Sequence, residues 1–271
     1  MTRRSDALAL ARGDVRDGTA SIEHLLQVLG SRRVGPRVLA RSLPEVHAGC
    51  ARLHASFAAL EAELEAELEA DPAGLAAVRA LLAHASARVG ELAVALSGRD
   101  RATLDVRERL ALEAVVRPIA SELATVVRLV DLLGAQVTSE TTPIDFADAL
   151  AGRRPAQRRS GRAVVAVVEI RTGELRVSDA GVILELLAFA IAAVVRAGVA
   201  APRIVVENGP DGSPLFTVQA ADGLSPTAGR ELEVALGDAL PHETAVLGAV
   251  ARHAGLTLEV KEDGRRVTIA L

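Results

Sequence analysis

Apolar positions recur at spacings of three and four from about Ala20 to Val137, the period of helices with one buried face. Thr19 or Ser21 is placed to cap a first short helix, which Gly35-Pro36 interrupts. Ser42, Pro44 and Glu45 read as the start of a second helix running to about Ala70, with Leu53, Phe57, Leu60, Leu64 and Leu68 on one stripe. Asp71-Pro72 breaks it. A third helix follows from about Ala73 to Leu96, carrying Leu75, Val78, Leu82, Ala85, Val89 and Leu92, and Ser97-Gly98 ends it. A fourth spans about Thr103 to Val137 with Leu110, Ile119, Leu123, Val126, Val130 and Leu133. Pro118 should kink or split it, because proline removes a backbone donor and crowds the preceding turn. Short connections between long helices describe an antiparallel bundle. The first 18 residues are polar and contain glycine, so they read as a flexible terminus.

After Gly134 the pattern changes period. Thr141-Thr142-Pro143 reads as a linker, and Arg153 to Arg162 as a basic, solvated loop. Val164 to Ile170 is a β-branched run, turned by Thr172-Gly173 into Glu174 to Val177. Asp179 opens a strongly apolar helix closed by Gly198. Arg203 to Glu207 and Pro214 to Ala220 form a hairpin, and about Ala228 to Leu236 reads as a short helix. A helix from about His242 to His253 precedes a final hairpin that turns at Asp263-Gly264. The whole is an α+β chain: a helical bundle over 19–140, then an α/β sandwich over 141–271 with helices on one face of a sheet.

Composition narrows the chemistry. With 50% apolar residues, 24% charged and a net charge of −4, the chain is globular and carries no basic stripe for nucleic acid. Trp and Tyr are absent and only four Phe are present, so the core is built from Ala, Leu and Val and there are no ring platforms for bases. The single cysteine, Cys50, excludes an intrachain disulfide and any multi-cysteine metal site. The alternating glutamates Glu61 to Glu69 read as a solvated helix face. No signal-peptide pattern is present and the longest apolar run, Val182 to Val195, contains Glu185 and is too short to span a bilayer. A cytoplasmic protein is expected. His47 and His54 share a helix face seven residues apart, without the further ligands a metal site needs. No Gly-x-Ser-x-Gly context occurs.

From about Leu75 to Leu271 the order of elements resembles the core of bacterial sensor histidine kinases. That core is a dimerising helical hairpin bearing a phosphoacceptor histidine, followed by the GHKL-type ATP-binding domain shared with gyrase. Pro143-Ile144-Asp145-Phe146 resembles the family's entry into the ATP-binding domain. The first long helix of that domain is the most specific match. The family has Glu or His there, three residues, then a magnesium-holding Asn; this chain has Glu185 and then Phe189. Where the family's Asp-x-Gly-x-Gly loop bonds adenine, the aligned position is Ala220, with Asp222 shifted by two. Gly237 and Gly248 both miss the start of the helix that a phosphate loop would open, and side chains there block backbone approach to phosphates. Losing an oxygen ligand for a hard cation adds to the case against ATP.

Counting back along the hairpin from about Val137 by the family's pattern lands on His84, in Ala83-His84-Ala85-Ser86-Ala87-Arg88. The family's adjacent acidic residue and Arg-x-Pro sequence are missing there. The resemblance thus implies a pseudokinase without a cofactor that docks a response regulator or histidine kinase of a two-component pathway. The alternatives are a histidine phosphotransferase relaying phosphate through His84 and a plain helical scaffold. It also implies a homodimer, with Leu123, Val126, Val130 and Leu133 in the seam between two hairpins.

Overall fold

The computed structural model describes residues 2–31, 36–97, 104–133, 144–145, 163–172, 176–177, 179–210, 212–221, 230–235, 240 and 243–271. It is a mixed α+β chain with helices in the N-terminal half and a six-stranded sheet in the other. Two compact units divide it, Met1–Asp131 with 238–243 and Leu132–Gly237 with 244–271. No described helix is long and apolar enough to cross a membrane.

The first unit holds α1 (Thr2–Gly30), α2 (Pro36–Glu67), α3 (Pro72–Leu96) and α4 (Val106–Leu132). The terminus expected to be flexible over residues 1–18 is helical from Thr2. Its buried stripe of Ala11, Val15, Gly18, Ile22, Leu25 and Leu29 runs through glycines that look like breakers in the sequence. Gly18 is a contact glycine: a Cβ there would lie 2.5 Å from Leu53 Cγ on α2. Pro44 likewise does not start a helix. It sits exposed inside α2, and Ser42 donates back to the Val38 carbonyl at 3.1 Å instead of capping.

The caps of α3 and α4 follow side-chain chemistry. Asp71 accepts from the Gly74 N–H at 3.0 Å, with Pro72 in the first turn. Asp105 and Glu108 cap each other's backbone N–H groups reciprocally at 2.8 and 2.9 Å. Pro118 neither ends nor splits α4. Leu110, read as part of the buried stripe, is 60% exposed; the stripe starts at Leu112 and runs through Val116, Ile119, Leu123, Val126, Val130 and Leu133.

Consecutive helices pack, α1 on α2 and α2 on α3. The fourth closes the ring. Arg109 near the start of α4 donates to the Val28 and Leu29 carbonyls at 2.7 and 2.6 Å and to that of Ser31, at the end of α1. Arg16 meets Asp131 at 2.7 Å, at the opposite end of α4. On its other flank α4 meets α3 through Glu122. This is an up-down-up-down four-helix bundle within one chain. Leu123, Val126, Val130 and Leu133, which the hairpin resemblance places in a seam between two copies, are buried within the single chain.

The second unit begins with β1 (Ile144–Asp145), β2 (Ala163–Ile170) and β3 (Arg176–Val177). Among the described residues β3 pairs antiparallel with β1 and has no pairing with β2, unlike the hairpin expected across Thr172, whose residues 173–175 lie outside the described residues. Next come α5 (Ala180–Arg196), β4 (Pro202–Asn208), β5 (Pro214–Ala220), β6 (Arg230–Ala235), α6 (Glu243–His253), β7 (Thr257–Lys261) and β8 (Arg266–Ala270). β6 replaces the short helix expected there. Its residues are good helix formers, but Leu232 and Val234 are buried at a period of two and the strand lies antiparallel along β2.

The sheet order is β6-β2-β4-β5-β8-β7, with β2 and β4 parallel and every other pair antiparallel. One face presents Val164, Ala166, Ile204, Val206, Phe216 and Val267, all buried, and α5 packs against four of the strands. Asp179 caps α5 by accepting from the Val182 N–H at 3.1 Å, and Gly198 follows it with φ +95. The other face carries the exposed Val165 and Val167 and an ion-pair chain in which Glu169 meets both Arg171 and the buried Arg203.

Candidate functional site

α3 turns Leu81, Leu82, Ala85, Val89 and Leu92 into the bundle core, which leaves its neighbours on the two flanks of the helix. His84 and Arg88, one turn apart, lie on the flank beside α4. Ser86 lies on the flank beside α2. His84 Nε2 stands 3.2 Å from Glu122 Oε2, and Arg88 Nε donates to the same oxygen at 2.9 Å. The Arg88 guanidinium also donates to Glu91. The His84 side chain is 30% exposed and that of Glu122 is 16% exposed, so the pair sits at the rim of the bundle with its imidazole reachable from solvent.

An ionised carboxylate has no proton to give, so the His84–Glu122 bond requires a proton on Nε2. The lone pair of the neutral ring then lies on Nδ1. An imidazole fixed in one tautomer by a carboxylate is a prepared nucleophile or base. The sequence of α3 offers no acidic neighbour for His84; α4 supplies it. Nothing in the spacing of the hairpin singles out Glu122 before α3 and α4 are placed side by side. Arg88 belongs to the same stretch of α3 as His84, and nothing in the sequence alone gives it a role.

The other histidines are arranged differently. His54 Nδ1 lies 2.7 Å from Ser86 Oγ across the α2–α3 seam, half-buried. His47 and His24 are exposed. Among the described residues no group of three His, Cys, Asp or Glu side chains converges on one point. Of the small neighbours of His84, Ala83 and Ala87 are exposed and leave room for a docking surface, whereas Ala85 belongs to the core. Cys50 is buried in α2, and desolvation pushes its thiol up to about 11.

The positions matching the ATP motifs lie on separate elements of the chain's second half. Glu185 is half-buried on α5, and Phe189, one turn later, is buried at 3% exposure. Ala220 ends β5 opposite Pro202 of β4. Asp222 lies outside the described residues. At the start of α6, where a phosphate loop would present backbone N–H groups, Glu243 is buried and its carboxylate accepts from the Leu240 N–H at 3.2 Å. A helix N-terminus favours negative charge, and here a carboxylate of the chain itself stands in that position.

No protein-family model matches the chain, and no curated protein matches it in sequence.

Proposed function

We propose that the chain is a histidine kinase-like signalling protein of a two-component pathway, without ATP chemistry of its own, and that His84 accepts a phosphoryl group from a receiver domain. Sequence reasoning puts docking of a response regulator or kinase first and phosphotransfer second. The carboxylate of Glu122 on His84 reverses that order, because it supplies the orienting acid that α3 lacks. A phosphotransferase needs an accessible, oriented imidazole on a helical bundle, and His84 is partly exposed with a carboxylate placed to orient it. The GHKL-type reading of the second unit rests on the order of its elements. The loss of nucleotide binding is supported by the buried Phe189, by Ala220 and by the Glu243 carboxylate at the start of α6.

The deciding experiment is phosphotransfer from phosphorylated receiver domains to the full chain, run beside His84→Ala. Label on the wild type that disappears in the variant supports relay. A receiver that binds both proteins equally and transfers to neither returns the protein to docking alone, and absence of both leaves the scaffold reading. Calorimetry with ATP and magnesium tests the other half; affinity below the millimolar range would reject it.

A further inference from the structure

We infer that Arg88 is the residue that holds a phosphoryl group on His84, and that Glu91 keeps its guanidinium occupied until that group arrives. This role rests on the reading of His84 as the acceptor. Three observations carry it. Arg88 follows His84 by one turn on the same flank of α3, so its guanidinium and the imidazole share a side of the helix. Both meet the same oxygen, Glu122 Oε2, at 2.9 and 3.2 Å, which brings the two groups to one place. The guanidinium spans two carboxylates, and the outer one, Glu91, is 57% exposed.

Charge governs the phosphorylated state. With His84 neutral, the cluster holds one cation and two carboxylates. A phosphoryl group adds a further charge approaching about −2, on the same imidazole that Glu122 holds by its other nitrogen. Arg88 is the cation within this cluster that can offset it. An arginine presents five N–H donors in a planar fork matched to phosphate oxygens, and the bonds to Glu122 and Glu91 use two of them. The exposed Glu91 pair is the weaker tether, since solvent screens it. Exchange of Glu91 for phosphoryl oxygens keeps the bond to Glu122, and so keeps the imidazole in its tautomer while the phosphate is held.

The covalent step balances without another reagent. The Nδ1 lone pair attacks phosphorus and forms the N–P bond. From an aspartyl phosphate the acyl P–O bond breaks and the carboxylate leaves with the electron pair. From phosphoramidate in its ammonio form the P–N bond breaks and ammonia leaves. The Nε2 proton stays between the imidazole and Glu122.

Phosphoramidate allows a test that needs no partner. The full chain and its His84→Asn, Arg88→Ala, Arg88→Lys and Glu91→Gln variants are incubated with it at neutral pH. Incorporation is read by intact mass, and loss is followed after the donor is removed. Wild type should label and His84→Asn should not. Arg88→Ala should lose its phosphate about tenfold faster than wild type, Arg88→Lys at an intermediate rate, and Glu91→Gln should label about threefold faster. A wild type that takes no label at His84 removes the acceptor reading and this inference together. A wild type that labels at His84, with Arg88→Ala and Glu91→Gln indistinguishable from it, overturns the inference and leaves the acceptor reading standing. Should Arg88→Ala unfold by circular dichroism, the exposed Glu91→Gln decides alone: an unchanged labelling rate overturns the inference.

Discussion

His84 and Glu122 lie 38 residues apart in the chain and 3.2 Å apart in space, Nε2 to Oε2. This contact assigns the ring nitrogens different tasks. Any phosphoryl group on His84 is expected on Nδ1, and NMR of the phosphorylated chain distinguishes that isomer from the Nε2 one. Glu122→Ala should lower incorporation from phosphoramidate by roughly a hundredfold, the lower end of what a positioned acid–base group contributes. Glu122→Gln should recover part of it by retaining a hydrogen-bonding oxygen.

Arg109 ties the start of α4 to three carbonyls at the end of α1. Carbonyls in the last turn of a helix lack the full set of in-helix donors, and the guanidinium serves here as a cap supplied from another helix. Arg109→Ala should cost about 2–3 kcal/mol in urea unfolding, in the range of a hydrogen-bonded charged group. Arg109→Lys should recover less than half, because an ammonium cannot reproduce the planar fork.

Two glycines of α1 should respond oppositely to alanine. At Gly13 a Cβ meets nothing within 4 Å, so Gly13→Ala should stabilise by up to about 1 kcal/mol through helix propensity. At Gly18 the same Cβ would press on the fully buried Leu53, and Gly18→Ala should destabilise by about 1–3 kcal/mol. Paired thermal melts check both signs.

Because α4 is covered by helices of its own chain, the bundle should unfold without dissociating. Leu123→Ala should cost about 2–5 kcal/mol, as for a buried leucine elsewhere. The unfolding midpoint of wild type and variant should not move with protein concentration. A midpoint that rises with concentration would show that the four helices need a second copy.

Cys50 gives a pH prediction. Burial raises its thiol from 9.0 to about 11, so the folded state disfavours the thiolate that the unfolded chain forms more readily. The contribution is fully present below about pH 9 and is lost as the pH rises toward 11. Cys50→Ala should flatten this alkaline limb in denaturation at a series of pH values.

The contrast between what the sequence discloses and what it hides comes from the range of the deciding interaction. Asp71-Pro72 and Asp179 announce the starts of α3 and α5 because caps are local chemistry. The hairpin of β4 and β5 is legible for the same reason. Arg230 to Ala235 hides its strand because Glu, Leu and Ala favour helix, and only its pairing along β2 decides otherwise. Gly18 hides the length of α1 because its reason for being glycine is Leu53 on another helix. The candidate site divides in the same way. Counting along the hairpin reaches His84, whereas Glu122 becomes visible only when α3 and α4 lie side by side.

The sheet order has a consequence for how the chain acquires its structure. The four helices are joined in series and complete by Leu132, so packing α1 on α2, α2 on α3 and α4 back on α1 needs no strand of the sheet and can proceed while later residues are still being synthesised. The sheet cannot take that course. β2 must wait for β4 on one side and β6 on the other, and β5 stays an open edge on one side until β8 has been made. Pulse-labelled hydrogen exchange during refolding should therefore show protection in α1 to α4 before β2 and β5. Until β8 arrives, β5 presents unpaired backbone groups to any other strand in reach, which makes this interval the point at which the chain is most exposed to aggregation.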